Sequence, residues 1–524
     1  MRFLVATLRR LSWIGCLLLA GCSSSAVSTD SGGAAARDQV VEELFVSAVG
    51  LLDDLDQYDP QSVLPQILGR FNQWLAAKQA PAGFRLDPLV EKLPEALRKS
   101  PLLTAPERMV LDREDGLALQ EAVWLREAAE VAVGREIDDL ARARLLFDWT
   151  VRNISLEPAT GTASEKASPR RPWETLLFGR GQPLDRAWVF ILLCRQQGLD
   201  AVLLAKENAN SQAGATGDIW LVGLLIDKNL YVFDPVYGLP VPAKNGSGIA
   251  TLEQVATSPE VFEHLAIDAK HEYRYKSEDF EKVVALVEAS PLALGARARV
   301  IEADLSGADR LTLAVDASAL AERLKACTHV MGVCVWSLPL ERAEQKLKPD
   351  ADARQASILA LAPFLEPTTR LWQARVLHLM GKFTGEPGLA GERSAVRAYE
   401  HCRPSLEDLS EAREAKKLSD ADEHLLLLAK RDATYWLGMI ALERGRYEIA
   451  RDYFSRSLQA GSNNPWTDPS HAMLARAYAG LGQIEQARLA YAQTTGPEHA
   501  GDLLRARALA PEPAQKAPAQ PSRP

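Results

Sequence analysis

The sequence predicts an α+β domain with a helical N-terminal layer, followed by an all-α repeat domain. Three observations carry that prediction. Apolar residues recur at helical spacing between 40 and 77 and again between 138 and 154. Between 201 and 233 the pattern changes to short runs of β-formers, which follow one helix stopped by Gly198. From about residue 368 to 508 the chain reads as helix throughout, and small and aromatic residues recur there with a period of 37 residues.

Taken in order, Val41, Leu44, Phe45, Ala48 and Leu51 mark a helix over Val40 to Leu55, and Val63, Ile67, Phe71 and Leu75 mark a second over Pro60 to Ala77. The helix from Asp138 to Ile154 has a register that places Leu145, Leu146, Trp149 and Ile154 toward a core, and a polar loop over Pro158 to Arg171 follows. A helix over Leu184 to Gln197 precedes strands at Ala201 to Leu204, Ile219 to Ile226 and Leu230 to Phe233, the last two joined as a hairpin by Asp227-Lys228-Asn229. Residues 251–345 mix helices with short strands near Leu311 to Val315 and Val330 to Trp336, and carry no assigned function. The end of the chain, 511–524, is mainly Pro, Ala, Gln and Lys, a composition that cannot bury a core and reads as disordered.

The chain has 524 residues, 47% of them apolar and 25% charged, a globular composition with room for several domains of about 100 to 200 residues. Its net charge of −9 leaves no basic field for a phosphate backbone, which excludes nucleic acid as the expected partner. At the N-terminus, Arg2, Arg9 and Arg10 precede an apolar run from Leu11 to Ala20, too short to span a bilayer as a helix and suited to a signal-peptide core. The run ends in Leu19-Ala20-Gly21-Cys22, which resembles the bacterial lipobox. That resemblance implies a diacylated Cys22, and Ser rather than Asp at position 23 favours the outer membrane over the inner. Removing residues 1–21 takes away three Arg and no acid, leaving a charge of −12. Cys194, Cys327, Cys334 and Cys402 then remain. Export permits a disulfide between Cys327 and Cys334, and no Cys-x-x-Cys pair points to zinc or redox chemistry. The domain division is 1–21 signal peptide, 22–36 flexible tether, 37–112 helical region, 113–250 α+β domain, 251–345 small α/β region, 346–510 helical repeats and 511–524 tail.

Four blocks in the α+β region resemble transglutaminase-like (papain-like) domains. The string from Ala143 to Ile154, with Trp149 before Asn153-Ile154, is similar to the family's opening helix; Gly181-Gln182-Pro183-Leu184-Asp185-Arg186-Ala187-Trp188 resembles its Gly-x-Cys segment; Asp218-Ile219-Trp220-Leu221-Val222 resembles its His-bearing strand; and Tyr231-Val232-Phe233-Asp234-Pro235 resembles the strand carrying its catalytic Asp. The family's chemistry needs a thiol at a helix N-terminus and a His oriented by an Asp. Here Pro183 stands at the nucleophile position, where a missing N–H is tolerated, and Asp218 stands at the His position, so only Asp234 is retained. Cys194 lies on the same helix about 16 Å further on and cannot reach the site. All eight His fall at residue 264 or later, so the segment holds no His of its own. The resemblance therefore implies a pseudoenzyme with no catalytic Cys-His pair and no cofactor.

What the resemblance leaves is an acidic cleft of Asp218 and Asp234, with Asp185, Arg186, Trp220 and Tyr237 as further cleft residues. Two carboxylates can act as acid and base, hold a hard cation, or serve structure and ligand binding without chemistry.

In the C-terminal half, Leu437-Gly438, Ala441, Gly445, Ala450 and Phe454 recur as Leu474-Ala475, Tyr478, Gly482, Ala487 and Tyr491, and these offsets resemble tetratricopeptide repeats. Ala374, Leu377, Gly381, Ala395 and Tyr399 form an earlier, interrupted unit. Stacked repeats present a concave face to a protein or peptide. The function expected is a lipid-anchored cell-envelope scaffold. The rival reading is a peptide- or cell-wall-directed hydrolase or transferase working from the Asp218 and Asp234 cleft.

Overall fold

The structure, a computed structural model, describes residues 31–158, 170–206, 221–268, 272–345, 361–366, 369–384, 394–415, 417–461 and 464–510. Helix α1 (Ser31–Asp53) begins inside the stretch expected to be tether, and α2 (Pro60–Leu75) packs against it, its start capped by Asp59, whose carboxylate accepts from Ser62 N at 2.9 Å. Two longer helices follow, α3 (Arg113–Val133) and α4 (Asp139–Asn153). The α4 register agrees with expectation for Leu146, Trp149 and Ile154, all buried, but Leu145 is 39% exposed. Leu145 falls outside the buried arc of α4, which takes both Leu146 and its neighbour Phe147.

Strands β1 (Ser155–Leu156) and β2 (Arg180–Gly181) pair in parallel on either side of α5 (Pro172–Phe178), and α6 (Pro183–Gln196) leaves β2 directly. A six-stranded sheet then forms from β3 (Asp200–Lys206), β4 (Leu221–Ile226), β5 (Asn229–Asp234), β6 (Leu239–Pro240), β7 (Val283–Val287) and β8 (Val330–Val335), in the order β6-β5-β4-β3-β7-β8. The β4–β5 hairpin turns at Asp227, which takes a positive φ of 54°. Asp is one of the few residues that enter that region at modest cost. Two departures from expectation follow. Strands β7 and β8 lie in the same sheet as β3, so residues 251–345 complete the α/β unit rather than forming a region beside it, and residues 311–315 form no strand. Helices α7 (Ala296–Asp304), α8 (Ala317–Leu324) and α9 (Leu338–Gln345) also lie in this part.

Both faces of the sheet are covered. Ala201, Leu203 and Ala205 of β3 join one core with α6, while Val202 and Leu204 join another with Val283 and Ala285. Alternation along a strand divides the run Ala201 to Ala205 between two apolar layers, which is why it reads as continuous hydrophobe. Phe147 of α4, Phe190 of α6 and Phe233 of β5 close a triangle with ring centroids 5.0 to 5.1 Å apart. Cys194 is buried in that layer, where loss of hydration pushes its thiol up, and Cys327 and Cys334 are separate thiols.

The C-terminal part is helical: α10 (Leu371–Leu379), α11 (Ala395–His401), α12 (Leu406–Glu414), α13 (Asp420–Glu443), α14 (Tyr447–Leu458), α15 (Thr467–Gly480), α16 (Ile484–Ala492) and α17 (His499–Ala508). The larger hydrophobic core runs without a break from α1 through α6 into these helices.

Candidate functional site

The paired helices α13–α14 and α15–α16 use the small and aromatic positions as their spacing predicts. A Cβ on Gly438 would lie 2.7 Å from the Phe454 ring, so glycine lets α14 approach α13, and Gly480 receives the Tyr447 ring in the same way. Tyr435 stacks on Trp466 at 4.1 Å, and the Trp466 indole N–H donates to Asp432 at 2.7 Å.

The first helix of each pair faces the α/β unit. Arg476 of α15 pairs with Asp148 of α4 at 2.9 Å. Glu443 of α13 accepts from the Asn153 amide at 3.1 Å and lies 3.5 Å from Arg152, which also holds Asp148 at 2.8 Å. Burial would raise the Asp148 carboxyl, but Arg476 and Arg152 outweigh it and hold it well below the usual range. Arg375 of α10 lies 3.6 Å from the centre of the Trp436 ring and donates to Leu176 O at 3.0 and 2.8 Å. Through these contacts α13 and α15 lie against helix α4. Beside α4 a crevice of about 700 Å³ remains, bordered by Val131, Arg152, Tyr447, Arg476, Tyr491 and Arg505.

At the start of α6, Pro183 occupies the first helical position after Gln182. Asp185 is 1% exposed and accepts from Gln182 N and Arg170 N, each at 2.8 Å; burial pushes its carboxyl up to about 6. Arg186, 0% exposed, donates to Ile154 O and Pro235 O at 2.9 Å and to Glu498 at 2.5 Å. Asp234 is also 0% exposed: Oδ1 accepts from Val236 N at 2.6 Å and Tyr237 N at 3.1 Å, and Oδ2 accepts from the Tyr273 hydroxyl at 2.7 Å. Asp218, Trp220 and Cys22 lie outside the described residues.

Of the residues expected to line a cleft, Asp185, Arg186, Asp234 and Tyr237 are described, and the first three are buried. These residues do gather near the start of α6 and the end of β5, but the polar atoms of the first three are spent on helix capping, loop carbonyls and turn N–H groups. Helix α17 lies over the spot. Arg505 donates to Gly238 O at 2.7 Å, and a side chain on Gly501 would collide with the Tyr237 carbonyl. Glu498, Arg505 and Tyr273 carry no local motif, and the distance in sequence hid them.

Residues 431–495 match the tetratricopeptide repeat family. No curated protein and no solved structure matches the chain. The chain is a mixed α/β protein with a C-terminal tetratricopeptide-repeat region, and repeats of this kind generally mediate protein–protein interactions.

Proposed function

We propose that the chain is a lipid-anchored scaffold of the bacterial cell envelope. Cys22 tethers it, at the outer membrane in preference to the inner, and the repeat region receives a protein or peptide partner. The α/β domain is a transglutaminase-like fold without its thiol chemistry. The observation that carries the binding function is the match over 431–495, together with the glycine-mediated approach of α13 to α14. Because α13 and α15 lie against α4, the partner segment enters the crevice bordered by Tyr447 and Arg476. The enzymatic rival loses support from Asp234, whose two oxygens are engaged within the fold.

A photo-crosslinking residue at Val131, which borders the crevice and is 41% exposed, tests this in cells. Capture of one envelope protein from position 131 and not from the exposed Ile137 is expected. Identical background from both positions would overturn the binding site.

A further inference from the structure

A second cavity, of about 120 Å³, lies between α3, α5, α6 and the segment after β7, on the α6 flank that carries Trp188 and Arg195 rather than at its Pro183 end. Its walls include Trp173, Trp188 and several Leu side chains. Four guanidiniums line it, and each has a carboxylate partner: Arg171 with Glu114, Arg195 with Glu288 at 2.5 Å, Arg297 with Asp115 at 2.7 Å, and Arg342 with Glu174 at 3.8 Å. Asp112 is committed to capping α3, where it accepts from Glu114 N and Asp115 N. That leaves Glu121. Its Oε2 accepts from Trp173 N at 2.9 Å, and no cation among the described residues lies within ion-pair distance of it. Glu121 retains partial exposure, which leaves it a route to solvent.

We infer that this cavity binds a small organic cation, an alkylammonium no larger than benzene, whose ammonium pairs with Glu121 and whose alkyl part lies against Trp173 and Trp188. Size sets the upper limit, since a cavity of about 150 Å³ accepts benzene. Charge sets the class: four guanidiniums and five carboxyls, those of Asp112, Glu114, Asp115, Glu121 and Glu288, line the cavity, so the surplus is one carboxyl. The indoles of Trp173 and Trp188 supply apolar surface for the alkyl part. Burial pushes the Glu121 carboxyl up to about 8, helped by the charge of Glu288 from the end of β7; the Trp173 N–H, Arg171 ahead of α5 and Arg195 of α6 act in the opposite sense without cancelling it. At neutral pH the empty site therefore holds a proton on Glu121, and the arriving ammonium displaces it to the buffer.

The test is titration calorimetry of the full chain with n-butylammonium, n-butanol and butyrate at pH 7, in two buffers of different ionisation enthalpy. Saturable binding of the ammonium alone is expected, with close to one proton released and affinity rising with pH between 6 and 8. Glu121→Gln weakens it at least tenfold and abolishes the proton release. Ala118→Phe, one turn before Glu121 on α3, fills the cavity and leaves the carboxyl in place; it abolishes binding while thermal unfolding shows the chain still folded. Glu121→Asp restores part of the affinity. Equal binding of butanol or butyrate, no binding of the ammonium, or binding indifferent to both Glu121→Gln and Ala118→Phe overturns the inference.

Discussion

Glu498, at the start of α17, meets the fully buried guanidinium of Arg186 at 2.5 Å, and its other oxygen accepts from Leu156 N at 3.0 Å. One carboxylate from the end of the repeat region thus closes the start of α6 and the β1 strand, across 312 residues of chain. A buried guanidinium without a counter-charge is costly, so this contact couples the two halves of the protein.

Glu498→Ala should lower the unfolding free energy by about 3 kcal/mol, because it leaves Arg186 buried and unpaired. Glu498→Gln keeps an acceptor for the guanidinium and should lose less. Urea unfolding of the two variants measures the difference, and a cost below about 0.5 kcal/mol for alanine would place the pair among surface-like ion pairs.

Gly501 gives a test with opposite signs at two levels. In an isolated helix, Gly→Ala is favourable by about 1 kcal/mol. Within α17, a Cβ at 501 collides with the Tyr237 carbonyl, a backbone atom that cannot rotate away. Gly501→Ala should therefore destabilise the whole chain, by about 1 to 3 kcal/mol as for other overpacked sites, while raising the helicity of a peptide spanning 496–510. Thermal unfolding of the chain and circular dichroism of the peptide read the two signs, and a stabilised chain would mean that α17 does not dock there.

The pH dependence follows from Asp185, whose carboxyl burial lifts from 3.8 to about 6. A carboxyl with a raised folded-state value contributes stability that is complete below about pH 3.8 and is lost as pH rises through 6, since the folded state holds the proton more tightly. Asp185→Asn removes the titrating group. Its stability profile between pH 4 and 6.5 should be flatter than that of the parent chain, whatever constant offset the lost capping acceptor adds. Parallel profiles would remove Asp185 from the pH response.

The lipid anchor is tested at Cys22. Cys22→Ser should move the protein from the membrane to the soluble fraction, since stable anchoring normally requires more than one acyl chain and the substitution removes the attachment point. Unchanged membrane association after cell fractionation would reject the anchor.

The local elements and the repeat were legible in the order of residues alone. The 3.6-residue spacing at Leu146, Trp149 and Ile154 placed α4, the β-former run after Gly198 placed β3, and the glycine–aromatic offset from Gly438 to Phe454 placed the helix pairs, because each rests on geometry within a few turns of chain. Tertiary structure alone decided three other matters. It set β7 and β8 beside β3, because strand order depends on which edges meet rather than on composition. It supplied the partners of the buried Asp185, Arg186 and Asp234, because Arg170, Glu498 and Tyr273 come from other segments. And it left Glu121 without a cation beside four complete Arg–carboxylate pairs, because buried charges are balanced only across contacts made once the chain has folded.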